Sequence, residues 1–563
     1  EKKKILSSKD IESLLPVIIW MHYTKTGDLS ECAGFWNSRP MKVASLIRSE
    51  PGFCTTAICG KNNGCYFGKI RRLSQSTNLV IINHALLFAD IQSPGILPEH
   101  DTVIIDEAHN LVDTAYKQME KSISAYPMKA AIDNINPEGK SSTRWKGQLI
   151  YVAQKVDSLK GIIDDLIKLT SGCKATVDTL FKELEFNVSN RFDPSAKYSE
   201  KYIIYNLTEE YGVFLNEINV LMNDINALII KLNKMSSELR SCSGNNEDFS
   251  EIMVQIDSFI ESLNTILTLL NLLTQEQDPN WVYWQEGVFR NNGEFELIIY
   301  GSPVDISKNL VDAFFIHVDH CILTSATLRV DESFDYFFSR TGLDTREIEK
   351  VYSGVYPSPF HYEDQVKYFQ YAGGNGQDPA LQASLIYNLH KKHNKRILAL
   401  FTSRYALNNV YQELRKKPDS RDLPIFAQLR GSSRHAIIQG MHRKKNGILL
   451  GTNAFWEGID LPGELLEILI LAKLPFGVPS EPVIKAYSNL LQSLDKNPFL
   501  DFNVPESVIK FRQGFGRLIR TTQDVGAFFV MDERVVKKRY GKSFSDSIPV
   551  RMDPFSNLNE IRI

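Results

Sequence analysis

Residues 102–109 read Thr-Val-Ile-Ile-Asp-Glu-Ala-His, an apolar run that ends on two adjacent carboxylates. The run predicts a buried strand of a parallel sheet, because such strands are short and rich in β-branched residues. Open α/β sheets bind ligands beyond the carboxyl ends of their strands. At that end Asp106 could hold Mg²⁺ while Glu107 orients an attacking water, as nucleotide hydrolysis requires. A chance surface turn is the alternative, and the preceding strand counts against it.

Three later apolar runs, at residues 397–401, 448–450 and 468–471, alternate with helical patterns. Strands that alternate with helices indicate a second parallel-sheet α/β domain. Between the two sheet regions, residues 211–235 and 252–273 place apolar side chains at helical spacing. These two stretches predict a helical insertion whose apolar stripes pack helix against helix.

The length and composition limit the class of protein. A chain of 563 residues exceeds what one hydrophobic core supports, so we expect several domains. The net charge of −3 shows no overall basic bias, and any phosphate-binding surface must therefore be local. We find no apolar run of about 20 residues and no export signal, which predicts no membrane association. Few cysteines favour a reducing compartment, and we expect a cytoplasmic protein.

A second motif, Gln-Gly-Phe-Gly-Arg-Leu-Ile-Arg, occupies residues 513–520. If the whole stretch is helical, one face carries Gln513, Gly516, Arg517 and Arg520. Two guanidiniums on one face could bind a phosphate bidentately, which is the geometry of an arginine finger. A solvated basic face is the alternative, but it does not explain two glycines that each weaken a helix by about 1 kcal/mol.

Together with Ser325-Ala326-Thr327 and residues 451–460, these stretches resemble motifs II, III, V and VI of superfamily 2 helicases, in the expected order. Phe401-Thr402-Ser403 resembles motif IV. The motif sequences are most similar to those of the DinG branch of the DinG/XPD iron–sulfur helicases. Residues 358–360, 455–463 and 473–476 support the resemblance to that branch. The resemblance spans nearly the whole chain.

The resemblance implies an α/β fold with two RecA-like parallel-sheet motor domains, the first interrupted by an iron–sulfur insert and a helical arch. It implies five segments: a Cys-rich iron–sulfur insert (1–80), part of motor domain 1 with motif II (81–115), the arch (116–280), the rest of motor domain 1 with motif III (281–375), and motor domain 2 with motifs IV to VI (376–563).

Three cysteines, Cys54, Cys59 and Cys65, lie close enough in sequence to share one soft metal centre. Their spacing alone leaves zinc and iron–sulfur equally open, with free thiols as a third possibility. The family resemblance implies a [4Fe–4S] cluster. Its fourth ligand would then be an upstream cysteine or Cys32.

The phosphate-binding loop Gly-x4-Gly-Lys-Ser/Thr has no match in the chain, since residues 139–141 and 541–543 both lack the earlier glycine. In the family this loop precedes the cysteine insert. The chain also begins without methionine, and we expect an upstream segment to carry the loop.

The resemblance implies an ATP-dependent DNA helicase that uses ATP and Mg²⁺ and moves along single-stranded DNA, 5′-to-3′, in repair or replication. Its substrates would include forked or flapped duplexes, and the motor would be monomeric. The implied catalytic residues are Asp106, Glu107, Arg517 and Arg520. The implied nucleotide-site residues are His109, Gln513, Gly516, Glu457 and Asp460, and the implied coupling residues are Ser325 and Thr327. Two alternatives stay open: a DinG-like nuclease with an upstream exonuclease domain, and an ATP-independent single-strand-binding protein.

Overall fold

The computed structural model describes residues 7–36, 40, 43–44, 47–49, 64–138, 143–194, 199–242, 249–289, 294–348, 350–429, 434–452, 455 and 466–561. They form two compact units. The first contains residues Glu1–Glu99 and Gln118–Pro303, and the second contains His100–Lys117 and Val304–Ile563. The five-segment division expected from the sequence is finer and stays a prediction.

The α-helices of the described residues are α1 (Ser8–Met21), α2 (Ala33–Trp36), α3 (Tyr66–Ser76), α4 (His84–Gln92), α5 (Leu111–Met119), α6 (Ala125–Ile135), α7 (Thr143–Lys155), α8 (Leu159–Val188), α9 (Leu207–Tyr211), α10 (Leu215–Cys242), α11 (Ser250–Thr274), α12 (Ser307–Ala313), α13 (Asp335–Thr341), α14 (Tyr362–Gln365), α15 (Pro379–His393), α16 (Arg404–Arg415), α17 (Arg434–Arg443), α18 (Pro482–Ser493), α19 (Val504–Phe515), α20 (Arg534–Lys537) and α21 (Gly541–Ser545). The strands are β1 (Thr102–Ile105), β2 (Lys121–Ile123), β3 (Glu200–Ile204), β4 (Trp281–Phe289), β5 (Phe295–Pro303), β6 (His320–Leu323), β7 (Val366–Tyr371), β8 (Ile397–Leu400), β9 (Ile425–Ala427), β10 (Ile448–Gly451), β11 (Ile468–Leu471), β12 (Gly526–Val530) and β13 (Met552–Phe555).

Long helices build the core of the first unit. The stripe of α10 is completely buried and contains Ile218, Leu221, Ile225, Leu228, Leu232 and Met235. These side chains share one hydrophobic cluster with the stripes of α8 and α11. Each buried aliphatic side chain of this size stabilises the fold by about 1.5–3 kcal/mol. The helical spacing in the sequence therefore corresponds to packing between neighbouring helices.

Two helical stretches, residues 207–242 and α11, are long and apolar enough to cross a membrane by length and composition. By that criterion, the expectation that no run is apolar enough to cross a membrane does not hold. Core helices of soluble proteins meet the same criterion, and both stretches bury their apolar stripes in the shared cluster. Length and composition alone are therefore not sufficient to assign either helix to a membrane.

An antiparallel sheet completes the first unit, with strand order β2-β5-β4-β3 among the described residues. The sequence suggested that the first motor domain resumes at residue 281. In the structure, β4 and β5 pair with each other over their full lengths and belong to this antiparallel sheet of the first compact unit. The boundary at residue 281 stays a prediction with the rest of the five-segment division.

In the second unit, β1 pairs in parallel with β6, so the predicted strand before Asp106 is confirmed. Its predicted burial holds only at Ile105, which is 2% exposed. Ile104 lies opposite Ile322 in the register, and these side chains are 62% and 53% exposed. Among the described residues this sheet has two strands, and one of its faces is open.

The second sheet of this unit is parallel throughout, with order β13-β7-β12-β11-β8-β10-β9 among the described residues. Strands β8, β10, β11 and β12 are buried along their whole lengths. Alternate residues of these strands enter two separate hydrophobic clusters, one on each face. The predicted runs at 397–401, 448–450 and 468–471 are thus strands covered on both sides, as parallel sheets require.

Candidate functional site

The carboxyl ends of β1 and β6 carry the loops of the candidate site. Thr324 N–H donates to Ile105 O at 2.9 Å, and Ala108 N–H donates to Thr324 O at 3.0 Å. These bonds continue the parallel ladder past the last strand residues. They hold the loop after β1 beside the loop after β6.

Glu107 adopts a left-handed backbone conformation, with φ 50° and ψ 44°. For a residue other than glycine this costs about 1–2 kcal/mol. Its N–H donates to Asp106 Oδ1 at 2.9 Å. Strained backbone of this kind is concentrated at active sites, where the surrounding structure holds it in place. The strain supports a functional interpretation of the two carboxylates.

His109 is the centre of the site. Its Nδ1 lies 2.7 Å from Ser325 Oγ, 3.2 Å from Thr327 Oγ1 and 3.2 Å from Glu107 Oε2. The Glu107 carboxylate can only accept a hydrogen bond, whereas the Ser325 and Thr327 hydroxyls can donate or accept, so the roles of these contacts depend on the tautomer of His109. The structure therefore joins residues expected from motif II to both hydroxyls expected from motif III.

The side chains around His109 differ in their exposure to solvent. The His109 side chain is 7% exposed, whereas that of Glu107 is 60% exposed. Thr327 is buried, and its N–H donates to Ser325 Oγ at 3.2 Å. The imidazole and the hydroxyls thus form an internal support, and the carboxylate of Glu107 faces solvent, where a substrate or water could reach it.

The helix that carries the second motif is shorter than the sequence suggested. Helix α19 ends at Phe515, and Gly516 is its C-cap. Arg517 N–H and Leu518 N–H then bond to the carbonyls of Gly514 and Phe515 in a turn. The expected single helical face of Gln513, Gly516, Arg517 and Arg520 is wrong, because the glycines end the helix before it reaches the arginines.

Arg520 lies in a loop that one carboxylate organises. Asp524 Oδ2 accepts hydrogen bonds from Arg520 N–H at 2.7 Å and from Thr521 N–H at 2.8 Å. Gln365 Nε2 donates to the carbonyls of Thr521 and Asp524 at 3.1 and 2.8 Å. The second arginine of the motif is therefore placed by a folded turn and not by a helix.

Arg512 was not among the residues singled out from the sequence. It lies on α19 next to Gln513, and its guanidinium donates to the carbonyls of Ala326 and Arg329. The sequence signal for Arg512 is a basic residue among the apolar residues Val508, Ile509 and Phe511, which are buried in the structure.

Several expected site residues lie outside the described residues: Cys54, Cys59, Glu457 and Asp460. Cys65 is described as the N-cap of α3, where its Sγ accepts from Gly68 N–H at 3.4 Å. Cys32 is 4% exposed within a small apolar cluster. Among the described residues no group of three potential metal ligands comes together.

Comparison with known proteins identifies the class. The Helicase C-terminal domain family matches residues 386–551, and the DEAD_2 family matches residues 38–128. The chain is 27% identical over 557 residues to the ATP-dependent DNA helicase YoaA of Haemophilus influenzae, covering 97% of this chain and 78% of that protein. It is 28% identical over 537 residues to the ATP-dependent DNA helicase DinG of Photobacterium profundum, covering 92% and 74%.

A third relative carries a different name. The chain is 27% identical over 562 residues to the 3'-5' exonuclease DinG of Bacillus subtilis, covering 95% of this chain but only 58% of that protein. A solved XPD helicase structure aligns with 98% of this chain and 84% of its own, at 15% identity and a TM-score of 0.49.

The site and the matched families define a superfamily 2 helicase, with motifs II and III joined through His109 and motif VI at the end of α19. Within that class, the chain is similar over most of its length to members of the DinG/XPD family.

Proposed function

We propose that this protein is an ATP-dependent DNA helicase that translocates on single-stranded DNA, in the 5′-to-3′ direction, in repair or replication. The observation that carries the proposal is the His109 contact group, because it links the Glu107 carboxylate of motif II to the two hydroxyls of motif III. The relatives named as ATP-dependent DNA helicases support the substrate class.

In the proposed mechanism, Asp106 would hold Mg²⁺, which would neutralise charge on the phosphates, and Glu107 would orient the water that attacks the γ-phosphate. Arg517 and Arg520 stabilise the charge that develops on the transferred phosphoryl group. Gln513 and Gly516, together with Glu457 and Asp460, contribute to the nucleotide site. These groups supply positioning and electrostatic stabilisation, which account for most of the catalysis in phosphoryl transfer.

Ser325 and Thr327 would couple hydrolysis to movement. Their hydroxyls contact the same His109 nitrogen that lies against Glu107. A change in the hydrogen bonds of Glu107 during hydrolysis therefore reaches the loop after β6 through one imidazole. Two RecA-like domains that close on ATP and reopen after hydrolysis would convert this change into steps along the strand.

We also propose a [4Fe–4S] cluster held by Cys54, Cys59 and Cys65, with Cys32 or an upstream cysteine as the fourth ligand. Cys65 fits a ligand role by its position, since its sulfur lies at the N-terminus of α3 and is the type of ligand that iron–sulfur clusters use. Cys32 fits less well, because it is buried against Val17 and Phe35. When bound, the cluster would supply a rigid cross-link for the insert.

The cluster is tested by iron content and visible absorbance. Cys65→Ser should remove most of the iron, because a cluster rarely survives the loss of one of its thiolates. Cys242→Ser is the control, since Cys242 ends α10, far along the chain from the insert. Full iron content in Cys65→Ser would rule out this ligand set.

A cytoplasmic location and monomeric action on forked or flapped duplexes are part of the same proposal. They are supported by the DNA helicase relatives and by the small number of cysteines.

A second candidate function is a nuclease with a helicase-like body, favoured by the exonuclease name of the Bacillus subtilis relative. The two functions differ in product: a helicase separates strands of unchanged length, and an exonuclease shortens them.

The deciding experiment measures ATP hydrolysis with and without single-stranded DNA, in the protein as its gene encodes it. We expect strong stimulation by DNA, and Glu107→Gln should abolish turnover while ATP binding persists. Glu99→Gln, an exposed carboxylate shortly before β1, is the matched control and should behave as wild type. Absence of hydrolysis together with shortened DNA would favour the nuclease.

A further inference from the structure

Arg512 connects the motif VI helix to the motif III loop. Its Nη1 donates to Arg329 O at 2.7 Å, and its Nη2 donates to Ala326 O at 2.9 Å. Burial, and secondarily the neighbouring Arg329 guanidinium, lowers the pKa of Arg512. A partly buried cation is costly unless its donors are bonded, so these two carbonyls are needed to keep Arg512 where it is.

The other end of α19 is attached to the same downstream segment. Tyr336 OH donates to Glu506 Oε1 at 2.6 Å, and Arg340 Nε lies 3.9 Å from the same oxygen. Arg340 also lies over the ring of Tyr487, with 4.2 Å between Cζ and the ring centroid. Between these points Val330 packs in one hydrophobic cluster with Val508 and Phe511. The segment from 326 to 340 is thus docked on α19 at both ends and in the middle.

Ala326 stands between the two hydroxyl residues of motif III. Ser325 Oγ and Thr327 Oγ1 both contact His109 Nδ1, which lies 3.2 Å from Glu107 Oε2. Arg512 is therefore linked to the proposed catalytic carboxylate in three steps: its hydrogen bond to Ala326 O, the peptide bonds from Ala326 to Ser325 and Thr327, and the contacts of their hydroxyls with His109, which lies against Glu107.

We propose that Arg512 is a positioning residue that makes the motif III loop move as one body with α19, so that displacement of the arginine-bearing turn resets His109 and Glu107. This inference rests on the proposed function for its consequence in catalysis. Its structural content, the attachment of residues 324–330 to α19, stands apart from any activity.

The attachment is tested by amide hydrogen exchange on the nucleotide-free protein. Arg512→Gln should raise exchange across residues 324–330 by on the order of tenfold, since coupling mutations of this kind change local equilibria by about that factor. Arg512→Lys should give an intermediate exchange rate, because a single ammonium group keeps the charge but lacks the fixed guanidinium fork whose two nitrogens reach the two carbonyls. Arg421→Gln removes a charge from an exposed arginine of the same unit and should leave this exchange unchanged. Unchanged exchange in Arg512→Gln would overturn the proposal.

The catalytic consequence is tested by separating KM from kcat. A positioning role predicts that Arg512→Gln keeps the KM for ATP within about twofold but lowers DNA-stimulated kcat by on the order of tenfold, with partial rescue in Arg512→Lys. A comparable rise in KM with kcat retained would instead mean that Arg512 binds nucleotide, and would overturn the positioning role. If the wild-type protein fails to hydrolyse ATP, the proposed function falls, and the exchange measurement still decides the attachment.

Discussion

At the scale of single residues, Asp524 shows how one buried carboxylate shapes the loop that carries Arg520. It accepts two backbone N–H bonds through Oδ2 and the Thr521 hydroxyl through Oδ1, at 2.7 to 2.8 Å. Burial alone would raise the pKa of Asp524, but these hydrogen bonds outweigh burial and the pKa is lowered. The ionised form is therefore the one that the fold stabilises.

Two substitutions of Asp524 distinguish the effect of losing its hydrogen bonds from the effect of losing its charge. Asp524→Ala leaves buried N–H groups without an acceptor and should cost about 1–3 kcal/mol of stability. Asp524→Asn keeps one oxygen for the two N–H groups and should cost less. Because the folded-state pKa is lowered, the contribution of the charge is present above the ordinary value of 3.8 and is lost as pH falls through the folded pKa.

Denaturation at pH 7 and at about pH 3 measures both effects. The gap between wild type and Asp524→Asn should be largest at pH 7 and should shrink in acid. A gap that stays constant across this range would show that the charge of Asp524 is not what stabilises the turn.

Arg517 gives the second prediction at this scale. If its guanidinium stabilises the transferred phosphoryl group, Arg517→Ala should lower kcat by about a thousandfold, within the range of arginine fingers. Steady-state hydrolysis in the presence of DNA measures the loss. Arg421→Ala, an exposed arginine in the same unit, should leave the rate unchanged. A loss below tenfold would remove Arg517 from the proposed catalytic group.

At the scale of elements, α10 offers a direct test of the packing in the first unit. Leu228 is completely buried in the helical cluster, and Ile230, two residues later on the same helix, is 66% exposed. Leu228→Ala should cost about 2–5 kcal/mol, since it leaves a cavity between α10 and its neighbours. Ile230→Ala should change stability by less than about 0.5 kcal/mol. Urea denaturation followed by helical circular dichroism compares the two, and equal costs would contradict the packing.

The elements that could be predicted are those whose pattern is local. The runs that became β8, β10 and β11 are continuous and apolar because both faces of their sheet are covered, and such runs are visible in the sequence. The end of α19 at Phe515 was missed because helical spacing continues past Gly514 and Gly516 although the helix does not.

The contacts of Arg512 could not be predicted, although its place in an apolar helix was visible, because its partners are main-chain carbonyls 183 and 186 residues earlier in the chain. Every residue type has a carbonyl, so no side-chain pattern marks such an acceptor. By contrast, His109 and Ser325 were predicted as site residues from the sequence motifs that contain them, and the structure adds the 2.7 Å contact that joins them. The sequence therefore predicts which side chains belong to the site, but it does not predict contacts that are made to the main chain.

At the scale of the whole molecule, the charge distribution limits how DNA could be held. The net charge of −3 gives no general attraction to a polyanion, so binding must come from local groups of cations. One such group follows β12, where Arg539 and Lys542 are exposed beside the aromatic cluster of Phe476, Phe499 and Tyr540. Basic side chains next to aromatic rings suit a single strand, which offers both phosphates and stackable bases.

This arrangement predicts a measurable salt dependence. Each phosphate contact to a single strand contributes about −0.7 to the slope of log K against log salt. Replacing both Arg539 and Lys542 by glutamine should therefore reduce the magnitude of the slope by about 1.4 if each cation contacts one phosphate. Fluorescence anisotropy of a labelled oligonucleotide between about 50 and 200 mM salt measures it. Lys160→Gln removes an exposed lysine that pairs with Asp157 and should leave the slope unchanged. An unaltered slope in the double variant would place the phosphate contacts elsewhere on the protein, because counterion release depends only on the cations that meet the backbone.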